Sequence, residues 1–296
     1  MSESITPPWM HDSGRRPKVV VLGTPERKNA REALEQLRPV ISERADIIAE
    51  DLDFSHDFSD CQHDLVIVLG GDGSILQSAR QMGRNQAPVL GVNCGRLGFL
   101  AALSPSEFLS TWPEFERFRI VDHLMLRVAV IRDGDLVCEQ LALNEIAVLG
   151  GPPYEMLDID FYADGVLATQ YHCDGLIVAT PVGSTAHNLS AGGPILRRHM
   201  DAIVISPISP HTLSCRPMVD SADTKIELRV VQPNESTNAV VDGRIMIGIQ
   251  AGDRIVVERA DLSFQMLSVK GEDDYRALRE KLGWGGSVPL ERAPDR

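Results

Sequence analysis

The stretch DLVIVLGGDGSILQSAR, Asp64–Arg80, decides how the first third of the chain is read. Five apolar residues, Leu65–Leu69, stop abruptly at Gly70-Gly71-Asp72-Gly73-Ser74. Beyond the break, Ile75, Leu76, Ala79 and Met82 recur at helical spacing. A short apolar run bounded by glycines reads as a buried strand, and the i, i+3, i+4 pattern reads as a helix. The junction sets one carboxylate among three glycines. Glycines let a backbone approach a ligand closely, and amides at a helix start favour phosphate. An aspartate there repels phosphate unless it accepts a proton or positions a hydroxyl. The bland alternative makes Asp72 the N-cap of a tight strand–helix turn, with Ser74 competing for that role.

Outward from this unit the same alternation continues. Lys18–Leu22 reads as a strand, a helical stretch runs from Pro25 to about Ile41, and Ala45–Ala49 and Pro88–Val92 read as further strands. Pro105–Phe118 reads as a helix. Such alternation predicts βαβ units and a mostly parallel sheet. After Val121 the texture changes. Three Asp-Gly pairs, at Asp133-Gly134, Asp164-Gly165 and Asp242-Gly243, sit between apolar runs and signal hairpins. Helical periodicity returns only at Tyr275–Leu282. The organisation predicted is a disordered tail over residues 1–17, an α/β domain over 18–120, a β-rich, sandwich-like domain over 121–270, and a helix and tail over 271–296. The active site is expected in the cleft between the two domains.

Composition narrows the function classes. At 296 residues the chain can bury a sizeable core. Hydrophobic residues make up 43% and charged residues 24%, as in soluble globular proteins. A net charge of −13 argues against nucleic acid as a partner, and five lysines are too few for a basic membrane-binding surface. The five cysteines (Cys61, Cys94, Cys138, Cys173, Cys215) are scattered without a C-x-x-C pair, which fits a reducing compartment and no zinc site. The N-terminus lacks an apolar signal core and no apolar run reaches the ~20 residues of a membrane span. A cytoplasmic location is expected.

The glycine turn is neither a P-loop, since no lysine follows, nor a G-x-G-x-x-G dinucleotide fingerprint, and no G-x-S-x-G elbow occurs. A second dense stretch, CDGLIVATPVGSTAHNLSAGGPI (Cys173–Ile195), offers hydroxyls, free amides and little bulk, which suits sugar and phosphate recognition. Turn formers alone would account for it as an ordinary loop, although loops beyond ~12 residues more often carry function. GVNCGRLGFL places Asn93 and Gly95 after a strand, NEIAVLGG sets Asn144 beside Glu145, and ISPISPHTLSCRPMV holds His211 between prolines.

Together, and in this order, these segments closely resemble the NAD kinase family. GGDGS matches its GGDG motif, and the resemblance runs from about Lys18 to Val269. It implies phosphorylation of the 2′-hydroxyl of the adenosine ribose of NAD by ATP. It further implies a divalent cation (magnesium) arriving with ATP rather than on a protein metal site, and a homodimer or homotetramer. By that resemblance Asp72 is the proton acceptor and Gly73 a backbone contact to NAD. Gly70, Gly71, Gly73 and Ser74 face the donor's phosphates, and Asn144 and Glu145 contact adenosine. His172, Asp174, Thr185, Ala186, His187, Asn188, Leu189, Ser190 and Arg244 complete the NAD site, partly across a subunit interface. Three of these depart from the usual pattern: His187 replaces tyrosine, His172 a frequent arginine, and Arg244 a frequent glutamine. Carboxylates are weak bases toward alcohols. Asp72 is therefore expected to orient the hydroxyl and take its proton late, since phosphoryl transfer depends mostly on positioning and charge. Two other readings fit the glycine motif: a lipid kinase sharing GGDG, which would need a membrane-facing surface, and a non-catalytic NAD(P)-binding regulator.

Overall fold

Strands β1 (Lys18–Gly23), β2 (Asp46–Asp51), β3 (Leu65–Leu69) and β4 (Val89–Val92) lie parallel in the order β2-β1-β3-β4. The computed structural model describes residue 9 and residues 15–24, 28–95, 98–101, 103–114, 117–269 and 275–283. Side chains alternate across this sheet as strand geometry requires. Val19, Val21, Leu65 and Ile67 face α1 (Lys28–Arg44), which presents Ala30, Leu34, Leu37 and Ile41 at helical spacing. Val20, Leu22, Val66 and Val68 face α2 (Asp72–Met82) through Ile75, Ala79 and Met82. Both faces are covered, which is why β3 is apolar throughout.

The helix predicted over Pro105–Phe118 is shorter. α3 (Pro105–Thr111) starts on a capping box between Ser104 and Glu107 and stops before Pro113, which has no N–H for the next turn. Phe118 instead opens β5 (Phe118–Arg132) and is buried beside α3.

The remaining strands are β6 (Asp135–Ala142), β7 (Glu145–Leu149), β8 (Leu157–Ala163), β9 (Val166–Cys173), β10 (Gly175–Ala179), β11 (Ala202–Ile208), β12 (Met218–Ser221), β13 (Ile226–Val230), β14 (Asn238–Val241), β15 (Arg244–Gly248) and β16 (Arg254–Val269). The helices are the short α4 (His187–Ser190) and α5 (Arg276–Leu282). All three Asp-Gly pairs form two-residue hairpins: β5–β6, β8–β9 and β14–β15. In each, both central residues have positive φ, from 46° at Asp242 to 94° at Gly134, as a turn matched to strand twist demands.

The β-rich half is a sandwich. One sheet runs β12-β11-β10-β7-β14-β15. The facing strands belong to the same ten-stranded sheet as β1–β4, because β16 serves both halves. Near its start β16 pairs antiparallel with β13, near its end it lies parallel to β4, and along its other edge it pairs with β5 throughout. Phe161, Ile159, Leu176, Val178, Ile205 and Leu228 fill the space between the layers. The fold class matches the sequence expectation of a mostly parallel α/β sheet joined to a β-rich half. The continuous sheet carried by β16 does not show in hydropathy.

Of the tail expected over residues 1–17, the structure describes residues 15–17 and Trp9. Its indole is buried against the α1 face of the core, and Arg16 donates to the carbonyls of Ser42 and Ala45 at 2.6 and 2.8 Å. An isolated tryptophan in a polar stretch carries no periodicity, so only its burial reveals it.

Phe161→Ala removes a fully buried ring from the sandwich core and should cost about 3–5 kcal/mol, read from the urea midpoint at unchanged slope.

Candidate active site

Asp72 is the first residue of α2, and its side chain turns away from the helix end. Oδ2 accepts the amide N–H of Phe99 at 2.8 Å, and Oδ1 accepts those of Leu100 at 2.9 Å and Ala101 at 3.4 Å. This overturns the capping alternative. Gly71 is the N-cap, and no side chain caps the helix. A carboxylate has about four lone-pair directions, so Oδ2 keeps one free while Oδ1 is saturated. Lys281 Nζ, from α5, lies 3.8 Å from Oδ2 and 4.1 Å from the centre of the Phe99 ring. The approach of Asp72 depends on Gly98, where an added Cβ would fall 2.1 Å from Oδ1.

The glycine turn divides in two. Gly70 is buried, and a side chain there would strike the Ser74 hydroxyl at 2.2 Å; Ser74 is itself buried. Gly71 and Gly73 have open space where a side chain would go. Their backbone is open, whereas Gly70 and Ser74 pack closely against each other.

Asn144 and Glu145 stand where β6 passes to β7, and a third residue organises them. The Asp242 carboxylate, in the β14–β15 turn, accepts the amides of Leu143, Asn144 and Glu145 at 3.0, 2.8 and 3.1 Å. Arg80 of α2 donates to the carbonyls of Val241 and Asp242 at 3.0 and 2.8 Å, tying the helix that begins with Asp72 to this turn. Sequence reading marked Asp242 only as a turn former. Its second role leaves no trace in spacing.

Glu145 is buried, and its Oε2 has no hydrogen-bond partner among the described residues. Burial, reinforced by the nearby Asp242 charge, pushes its carboxyl up to about 8, although the His187 amide partly opposes this. Burial also raises Asp242, against the pull of its three amide donors and Arg80. Both carboxyls are thus shifted toward the protonated form, and Glu145 has the fewer hydrogen-bond donors.

The Gly183–Ser190 segment packs on this point. Gly183 passes so close that a Cβ would lie 2.0 Å from the Asn144 carbonyl oxygen. Thr185 ends a 3-10 turn, Ala186 follows, and α4 carries an exposed His187, half-buried Leu189 and exposed Ser190. Asn188 differs. Its side chain is fully buried, donating to the carbonyls of Ser184 and Pro194 and accepting from Ser206 Oγ at 2.7 Å. It holds the loop with every polar atom engaged. Arg244 is exposed at the start of β15, beside the Arg80–Asp242 junction.

His172 and Asp174 lie elsewhere. They flank the beginning of β10, whereas the Thr185 loop leaves from its end at Thr180; six residues of strand are roughly 20 Å. His172 pairs with Asp158, and Asp174 is exposed. Within one chain these two predicted residues are not brought to the others.

No grouping of three ligating side chains occurs at Asp72 among the described residues; the one such grouping, Asp51–Asp53–His56, is far along another loop. There the buried Asp51 carboxylate accepts the amides of Asp53, Ser55 and His56, which is turn construction.

Comparison with known proteins matches this geometry to a family. Residues 14–120 match the ATP-NAD kinase N-terminal domain, and residues 143–269 match the ATP-NAD kinase C-terminal domain. The chain belongs to the NAD kinase family. The NAD kinase of Rhodopirellula baltica is 64% identical over 281 residues, covering 94% of this chain and 90% of that one. The NAD kinase of Cellvibrio japonicus is 42% identical and covers 76% of each. Among solved structures, yeast NADH kinase complexed with NADH superposes with a TM-score of 0.81 at 26% identity, covering 95% of this chain and 91% of that one. An NAD kinase from Archaeoglobus fulgidus in complex with ATP gives 0.69 at 29% identity, covering 90% and 98%. These relatives are nucleotide kinases, which sets aside the lipid-kinase reading.

The raised Glu145 predicts a pH dependence. A buried acid with a raised pKa contributes stability that is full below its unfolded value, 4.5, and is lost as pH rises through about 8. Glu145→Gln cannot ionise. Between pH 5 and 9 the wild type should lose stability relative to the variant, by at most about 1.4 kcal/mol per pH unit, measured by urea unfolding at each pH.

Proposed function

We propose that the chain transfers the γ-phosphoryl group of ATP to the 2′-hydroxyl of the adenosine ribose of NAD, giving NADP, with Asp72 as the residue that receives the hydroxyl. The observation that carries this is the Asp72 carboxylate, held rigid by the amides of Phe99, Leu100 and Ala101 with one direction of Oδ2 left open beside the glycine turn. A fixed acceptor lowers the entropic cost of aligning the alcohol with phosphorus. The open lone pair accepts the hydroxyl's hydrogen bond and takes its proton as the O–P bond forms. Gly71 and Gly73 offer backbone toward the donor, while Lys281 supplies a cation the motif itself lacks. The protonated Glu145, with Asn144, suits the adenosine, and Thr185–Ser190 and Arg244 line the approach. A divalent cation would neutralise triphosphate charge when bound. Its ligands would be phosphate oxygens and water, an arrangement that magnesium prefers. A regulator without catalysis would have no use for the constrained Asp72 and Gly98 pair.

We further propose a symmetric homo-oligomer in which His172 and Asp174 of one copy complete the site of another. The support is their separation from the Thr185 loop and the exposed Met218, Val219 and Ile245 on the outer strands β12 and β15. The unpaired cysteines favour the cytoplasm, and no described helix is long and apolar enough to cross a membrane.

Asp72→Asn should lower kcat for NADP formation at least ~100-fold at saturating ATP, magnesium and NAD, with NAD affinity by calorimetry nearly unchanged. Turnover within a few-fold of wild type would remove Asp72 from the chemistry. Light scattering at assay concentration should show a dimer or tetramer, and a fully active monomer would contradict the shared site.

A further inference from the structure

Lys281 reaches Asp72 from α5, which lies beyond residue 269, where the match to the NAD kinase family ends. Its ammonium stands 4.1 Å from the centre of the Phe99 ring. That residue is fixed on both sides: its amide donates to Asp72 Oδ2 at 2.8 Å, and its carbonyl accepts from Arg198 at 3.0 Å. Lys281 Nζ is 3.8 Å from Oδ2, too far for a hydrogen bond, and donates none among the described residues. An ammonium carries three donors and a compact charge. The ring therefore holds the charge in place while its donors stay uncommitted among the described residues. Oδ2 is also the atom whose open direction receives the hydroxyl. A hydroxyl bound there lies about 2.7 Å away, and phosphorus joins that same oxygen. From 3.8 Å, a flexible lysine stem reaches the equatorial oxygens of the phosphoryl group in transit.

We infer that Lys281 is a catalytic residue, which donates to the transferred phosphoryl group and offsets the charge on its oxygens in the transition state. The inference rests on Asp72 as the partner of the acceptor hydroxyl. The bond from the γ-phosphorus to ADP breaks, the bond to the 2′-oxygen forms, and the hydroxyl proton passes to Asp72. Lys281 keeps its proton throughout and acts as a point charge. Its delivery depends on how α5 is docked. None of the residues of α5 is buried. Arg276 pairs with Glu107 of α3 at 3.2 Å, and the Arg197 guanidinium lies 5.7 Å from the centre of the Tyr275 ring. Surface contacts of this kind are weak, so turnover is conditional on a helix that the core does not hold.

The test is steady-state NADP formation by the full chain, with the melting temperature measured beside it. Lys281→Met keeps an apolar stem over Phe99 and removes the charge. It should lower kcat roughly 100-fold at saturating ATP, magnesium and NAD, with the KM for NAD within about twofold and the melting temperature unchanged. Lys281→Arg restores a cation and should recover about tenfold of that loss. Arg276→Glu, which sets a second acid against Glu107, should lower kcat roughly tenfold by depopulating the docked helix. A kcat for Lys281→Met within about threefold of wild type would overturn the proposal, since a transition-state donor is worth far more. So would turnover faster than wild type, which would make the contact a restraint on Asp72, or Lys281→Arg no better than Lys281→Met. Wild-type turnover in Arg276→Glu would overturn the dependence on docking. Failure of the phosphotransfer reading would appear separately, as wild-type protein that makes no NADP from ATP and NAD.

Discussion

The arrangement of the site depends on one buried carboxylate. Asp242 sits in a two-residue turn, takes three consecutive backbone amides from the β6–β7 junction, and shares its own carbonyl with Arg80. Those bonds bind three parts of the chain that lie more than sixty residues apart: the helix begun by Asp72, the Asn144–Glu145 corner and the β14–β15 hairpin. The charge has a second effect. It adds to the larger effect of burial in raising the Glu145 carboxyl, which favours the form able to donate a hydrogen bond.

Two kinds of glycine emerge around Asp72. Gly98 and Gly183 are needed because a polar atom of another residue occupies the place of a side chain. Gly71 and Gly73 face open space, so their bareness serves whatever enters from outside. The first kind is fixed by packing and the second leaves its backbone open. A motif written as GGDG hides that difference.

The sequence was most legible where local rules decide the outcome. The β3–α2 unit, the Asp-Gly hairpins and the apolar faces of β1 and β3 follow from periodicity and turn chemistry, which act over a few residues. The resemblance supplied Asn144, Glu145 and the Thr185 loop, whose spacing alone would have remained an ordinary loop. What stayed hidden was the product of long-range contact. Asp242 as an anchor, Lys281 beside Asp72, Arg198 on Phe99 and Trp9 in the core all involve partners at least sixty residues away or a residue alone in polar sequence. Asn188 was legible as important, but its burial shows that it holds the loop from within.

The shared strand β16 also sets a schedule for folding. Met266 pairs with Val89, and Val257 pairs with Val128, so both halves of the molecule close on strands far apart in sequence. During synthesis the parallel sheet stands with the edge of β4 unpaired until β16 has been made. Contacts this far apart in sequence slow folding, and an open strand edge invites pairing with other chains. Removal of β16 as a whole would therefore open both layers at once.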